Sequence, residues 1–71
     1  MKPLPFREVK RKLLEAGFVV VSQIGSYIKF AKVTNEGTRT ATVPHHREVA
    51  RGTLRSIIRQ AGLSEKEFSD L

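Results

Sequence analysis

The chain contains no cysteine, so neither a disulfide nor a thiolate zinc site holds it together. That absence fits a reducing compartment. No apolar run approaches the roughly 18 residues that a membrane span requires. The start, Met1-Lys2-Pro3-Leu4-Pro5, is followed by no hydrophobic signal core. Two histidines without a neighbouring carboxylate pair or cysteine make a poor metal-ligand set. The expectation is a cytoplasmic protein that avoids membranes and carries neither a metal nor a small-molecule cofactor. Its 71 residues leave room for one domain, 1–71, and one modest core. A chain of this size buries only roughly 60% of its unfolded surface, so its stability margin is thin.

Acids are the other scarcity. Thirteen Lys and Arg stand against seven Asp and Glu, for a formal charge of +6. The imbalance is uneven: residues 1–63 carry twelve bases and four acids, whereas residues 64–71 carry one base and three acids. A basic body of this kind points to a polyanion or an acidic protein partner. The plainer alternative is a charged surface kept for solubility.

The apolar pattern predicts a helix over 5–16, where Phe6, Val9, Leu13 and Ala16 recur at helical spacing. Pro5 suits its first turn and Gly17 its left-handed stop. Phe18-Val19-Val20-Val21 reads as a strand buried on part of both sides, broken by Gly25 and Ser26. From Tyr27 the pattern alternates, with Ile28 and Phe30 toward the core and Tyr27, Lys29 and Ala31 on the other side. Asn35-Glu36-Gly37 supplies a hairpin turn, and Thr38 to Val43 forms a third strand ended by Pro44. A second helix is expected from Thr53, as N-cap, to Ala61, with Leu54, Ile57, Ile58 and Ala61 inside and Arg51, Arg55 and Arg59 on a solvated face. Ser64-Glu65-Lys66-Glu67 is a capping box that opens a last turn carrying Phe68 and Leu71. The order α-β-β-β-α predicts an α+β fold like that of double-stranded-RNA-binding domains, a three-stranded antiparallel sheet with two helices on one face. Such a fold does not by itself imply RNA.

Two segments hold the residue types that handle phosphates. The first is Gly25-Ser26-Tyr27-Ile28-Lys29-Phe30, at the mouth of a strand. The second runs from Pro44 through His45, His46 and Arg47 into Gly52-Thr53-Leu54-Arg55, Ile57 and Ala61-Gly62. With their spacing and the element order, they make the chain resemble HicA-type mRNA interferase toxins, the YcfA-like family, over nearly its whole length. The family pattern has Gly-Ser-His in the first segment, followed by a basic and an aromatic position. Here Gly25 and Ser26 match, Lys29 and Phe30 match in character, and Tyr27 takes the place of histidine. The second pattern, proline, histidine, then a basic stretch into Gly-Thr-Leu-Arg, is met by Pro44, His46 and Gly52 to Arg55.

The resemblance implies an endoribonuclease that cleaves mRNA without a metal and is silenced by a HicB-like antitoxin. It places the catalytic position at Tyr27. An imidazole, with its free pKa of about 6.5, suits exchange of a ribose 2′-OH proton near neutrality. A phenol, near 10, is a poor base there. Tyr27 therefore stands as a hydrogen-bond donor, a stacking surface for a base, or a plain strand aromatic. RNA contacts are expected from Gly25, Ser26, Lys29, His46, Arg47 and Arg55. His46 either touches RNA and replaces the lost base or orders the loop before the helix. As neighbours in an extended segment, His45 and His46 are expected to point to opposite sides and not to act as a pair. The alternative to a ribonuclease is a non-catalytic RNA-binding or antitoxin-binding module with the same fold. A small DNA-binding protein is the third reading, but no helix-turn-helix spacing supports it.

Overall fold

The structure is a computed structural model and describes residues 1–71. In chain order the elements are β1 (Leu4–Pro5), α1 (Phe6–Glu15), β2 (Val19–Ile24), β3 (Tyr27–Thr34), β4 (Gly37–Pro44), β5 (Glu48–Val49), α2 (Arg51–Ala61) and α3 (Glu65–Ser69). The antiparallel sheet has the order β2-β3-β4, and β1 pairs with β5 in a separate two-stranded ladder. The predicted α+β arrangement is present. The core formed by Val9 and Leu13 of α1, Ile28 and Phe30 of β3, Ala41 and Val43 of β4, and Leu54, Ile57 and Ile58 of α2 puts both main helices on one face of the sheet. The thinnest dimension of the molecule is 17 Å, which fits one sheet and one helical layer.

The β3–β4 hairpin sets the register. All eight residues of β3 pair, from Thr34 opposite Gly37 at the turn to Tyr27 opposite Pro44 at the far end. Gly37 takes a φ of 115°, a region that glycine enters without a Cβ clash, as the Asn-Glu-Gly turn requires. Alternation along β3 buries Ile28 and Phe30 against the helices and leaves Tyr27, Lys29 and Val33 on the open face. Lys32 falls on the helix side and is half-buried. Its Nζ donates to the Ala16 carbonyl at 2.6 Å and lies 5.9 Å from the Phe18 ring centre.

Two expectations fail here. The valine run was expected to be buried on both sides, yet every residue of β2 is exposed and only Phe18, just before it, is in the core. The cause is position: β2 is an edge strand with helices on one face only, and its pairing slips between Val20 and Ser22. Val19 and Ile24 fall on the open face, opposite Ala31 and Tyr27. The second failure is the start of α2. Thr53 lies in its first turn, and the N-cap is Ala50, whose carbonyl accepts the first helical bond from Leu54 N–H. The β1–β5 pairs, Leu4 with Val49 and Pro5 with Glu48, fix the chain just before this point, and Val49 is anchored in the core. The helix thus starts as soon as that anchor ends.

The C-terminal turn behaves as expected and adds a feature that periodicity does not signal. Ser64 Oγ accepts from Glu67 N–H at 3.0 Å, and Glu67 Oε1 accepts from Ser64 N–H at 2.8 Å. The Ser64 backbone N–H, the larger cause, holds the Glu67 carboxyl below its ordinary range. This contribution is complete above the usual carboxylate pKa and is lost as pH falls through the lowered one. Phe68 is buried, and the side chain of Lys12, on α1, runs beneath the turn. Lys12 is only 8% exposed; its Nζ donates to the carbonyls of Phe68 at 3.1 Å, Ser69 at 3.4 Å and Leu71 at 3.1 Å. It also sits 5.3 Å from the Phe68 ring centre. Lys12 is a clamp between α1 and the end of α3.

Charge-assisted hydrogen bonds of this kind contribute about 1.5–3 kcal/mol. Lys12→Met, which keeps the stem and removes the ammonium, is expected to lower the free energy of unfolding by about 2 kcal/mol in urea melts and to speed amide exchange over residues 65–71. A loss below about 0.5 kcal/mol with unchanged exchange would show that the clamp is incidental.

Candidate nucleic-acid interface

The hairpin ladder does not stop at the Tyr27–Pro44 pair. One step further, His45 N–H donates to the Ser26 carbonyl, so the Gly25-Ser26 turn and the His45 segment are fastened together. Gly25, with a φ of 59°, makes the tight connection from β2 to β3 that brings Ser26 into this position. The two sequence segments, separated by more than a dozen residues, therefore meet at one end of the sheet.

Beside this junction lies a cleft of about 670 Å³ between the start of α1 and the His45 segment. Its walls are Pro5, Phe6, Arg7, His45, His46, Arg47 and Glu48. The β1–β5 ladder closes its base by pairing Pro5 with Glu48. The His45 ring packs on Phe6 with 4.3 Å between ring centres at 38°. Pro5, the N-cap of α1, offers no side-chain acceptor to the first-turn N–H groups. His45 and His46 both line this one cleft. They lie past the end of β4 at Pro44, where the chain leaves the extended strand and bends at Arg47.

The other expected residues are spread more widely. His46 and Arg47 line the cleft; Gly25 and Ser26 form the turn next to it. Tyr27 and Lys29 point from β3 to the open face of the sheet, and neither is a wall of the cleft. Arg55 lies on α2, where its Nε is 3.4 Å from Glu65 Oε1. Arg7, His45 and Phe6 were not among the predicted site residues. Arg7 sits on the polar side of α1, and nothing in its local pattern distinguishes it from Lys10 or Arg11; only the β1–β5 closure brings it opposite Arg47.

Ion pairing separates the cations further. Arg11 is held by Glu8 at 2.9 Å and Glu15 at 3.1 Å, and its hydrogen bonds keep the Glu8 carboxyl below the ordinary range. Lys66 pairs with Asp70 at 2.9 Å. Arg7 and Arg47 form no ion pair, and Glu48 is the one carboxylate in the cleft. Glu8, Glu15, Glu65 and Asp70 pair with cations elsewhere, and the two guanidinium groups that line the cleft are, like Lys10, Lys29, Arg39, Arg51 and Arg59, in no ion pair. Two such groups beside two imidazoles suit an anion with several acceptor oxygens, such as a phosphodiester.

No helix is long and apolar enough to cross a membrane. Among curated proteins, none matches the chain. A family match covers residues 6–63, most of the chain and both halves of the junction, and the family is described as the HicA toxin of bacterial toxin-antitoxin systems. By family only, a HicB antitoxin and an RNA target are implied. With the helix–sheet–helix order and the fastened Gly-Ser and Pro-His segments in place, the chain belongs to the HicA toxin family.

Proposed function

We propose that the protein is the toxin of a toxin–antitoxin pair, an endoribonuclease that binds mRNA in the cytoplasm, cleaves it without a metal, and is neutralised by a HicB-like antitoxin. The observation that carries this reading is the hydrogen bond from His45 N–H to the Ser26 carbonyl, which fastens the turn of one segment to the basic, histidine-bearing strap of the other. RNA contacts are assigned to Gly25, Ser26, Lys29, His46, Arg47 and Arg55, with Tyr27 at the position where the family carries its catalytic histidine. Arg55 enters as the weakest of these, because Glu65 already competes for it. Exposed pairs of this kind are worth little, so a phosphate displaces the carboxylate at small cost.

One observation favours the second reading, a module that binds its antitoxin without cleaving RNA. The open face of the sheet presents Ile24 at 77% exposure beside Tyr27 at one end and Val33 at 82% near the other, with Ser22 and Lys29 between them. Exposed apolar side chains such as the Ile24–Tyr27 pair suit a protein contact, and an antitoxin seated there would cover Tyr27.

Tyr27→His is expected to raise cleavage of a labelled single-stranded RNA, measured with EDTA present, by about tenfold or more, the lower end of what a positioned imidazole supplies. A folded variant no faster than the parent would remove residue 27 from the chemistry. Reversing Arg55 and Arg59 to glutamate is expected to weaken RNA binding and to flatten its dependence on salt, by about one unit of slope per lost phosphate contact. An unchanged slope would take α2 off the RNA surface.

A further inference from the structure

The cleft at the start of α1 contains more chemistry than phosphate binding needs. Both histidines of the chain, two arginines without ion pairs and one glutamate line its space of about 670 Å³. Its two sides are held in place by separate devices. The β1–β5 ladder ties Pro5 to Glu48, and the Phe6–His45 ring contact and the His45–Ser26 hydrogen bond fix the opposite wall. A preorganised set of donors is what stabilisation of a charged transition state requires. Tyr27 lies outside these walls.

We propose that this cleft takes a phosphodiester of single-stranded RNA and that His45 and His46 exchange the protons of its cleavage. The proposal rests on the ribonuclease reading above and moves the acid–base chemistry away from residue 27. One imidazole, neutral, takes the proton of the ribose 2′-OH as that oxygen attacks the adjacent phosphorus. The bond from phosphorus to the 5′ oxygen breaks, and the other imidazole, protonated, gives its proton to the leaving oxygen. The products are a 2′,3′-cyclic phosphate and a free 5′-hydroxyl. No water, metal or redox partner enters the balance, and the proton count of the pair is unchanged. Arg7 and Arg47 face the non-bridging oxygens, where negative charge gathers during attack. The Phe6–His45 stack offers an aromatic surface for the base beside the scissile bond. Arg7 from α1, and Arg47 and Glu48 from the strap, are the charged groups that share the cleft with the imidazoles.

The test uses the full chain with a 5′-labelled single-stranded RNA, at low salt with EDTA, across a pH series. His46→Gln and His45→Phe are the informative variants. The first replaces an exposed side chain, and the second keeps a ring against Phe6 while removing its nitrogens, so both preserve the fold, as circular dichroism verifies. Each is expected to lower the cleavage rate by about 100-fold or more, and each removes one limb of a bell-shaped pH profile. In parallel, inorganic phosphate added to the wild-type protein shifts the imidazole C–H resonances of both histidines, and Arg47→Gln abolishes the shift. If the wild-type protein cleaves RNA and both histidine variants cleave equally well, this proposal falls and the ribonuclease reading survives. If the wild-type protein cleaves no RNA, the ribonuclease reading and the proton transfer fall together.

Discussion

The β3–β4 ladder is the constraint from which the rest of the structure follows. Its register, fixed at the Gly37 turn and kept over all eight residues of β3, decides which side chains of both strands meet the helices. A slip of one residue would turn one strand's apolar set outward, either Ile28 and Phe30 or Ala41 and Val43, and bring Tyr27 and Lys29 or the threonines of β4 into the core. The same register carries the ladder to Tyr27–Pro44 and one bond beyond, to His45 and Ser26. Core and site thus depend on one alignment, and a chain this short has no second layer over the other face of the sheet to correct an error.

The helices, the hairpin turn and the terminal capping box were legible because each rests on a local rule. Gly17, Gly37 and Gly62 take positive φ where a stop or a turn needs it. Ser64 and Glu67 satisfy one another within a single turn. What escaped was long-range. The valines of β2 have the composition of a buried strand, and only the sheet order reveals that they lie at an edge. Thr53 has the chemistry of an N-cap, but the β1–β5 anchor starts the helix earlier. Two-residue ladders such as β1–β5 carry no periodicity to read, and so the cleft they close was invisible along with Arg7.

Charge shows the same division. A formal charge of +6 spread over the surface says only that an anion is welcome. The pairing of Glu8 and Glu15 with Arg11, of Glu65 with Arg55 and of Asp70 with Lys66 removes three cations from that statement; among those left unpaired, only Arg7 and Arg47 line the cleft with the two histidines. The resemblance in the sequence points to residue 27, which is a tyrosine. The folded chain supplies two imidazoles, one strand-end away and on the helix side of the molecule.

The central claim is that RNA phosphate sits in this cleft, and its most direct test is a chemical-shift map of the protein with a short single-stranded oligonucleotide blocked at every 2′ position, so that binding is read without cleavage. The account predicts that the largest changes fall on Arg7, Ser26 and His45 through Glu48 and fade with added salt. Changes confined to the arginine face of α2, or to Ile24, Tyr27 and Val33 on the open face, with the cleft residues unmoved, would contradict it.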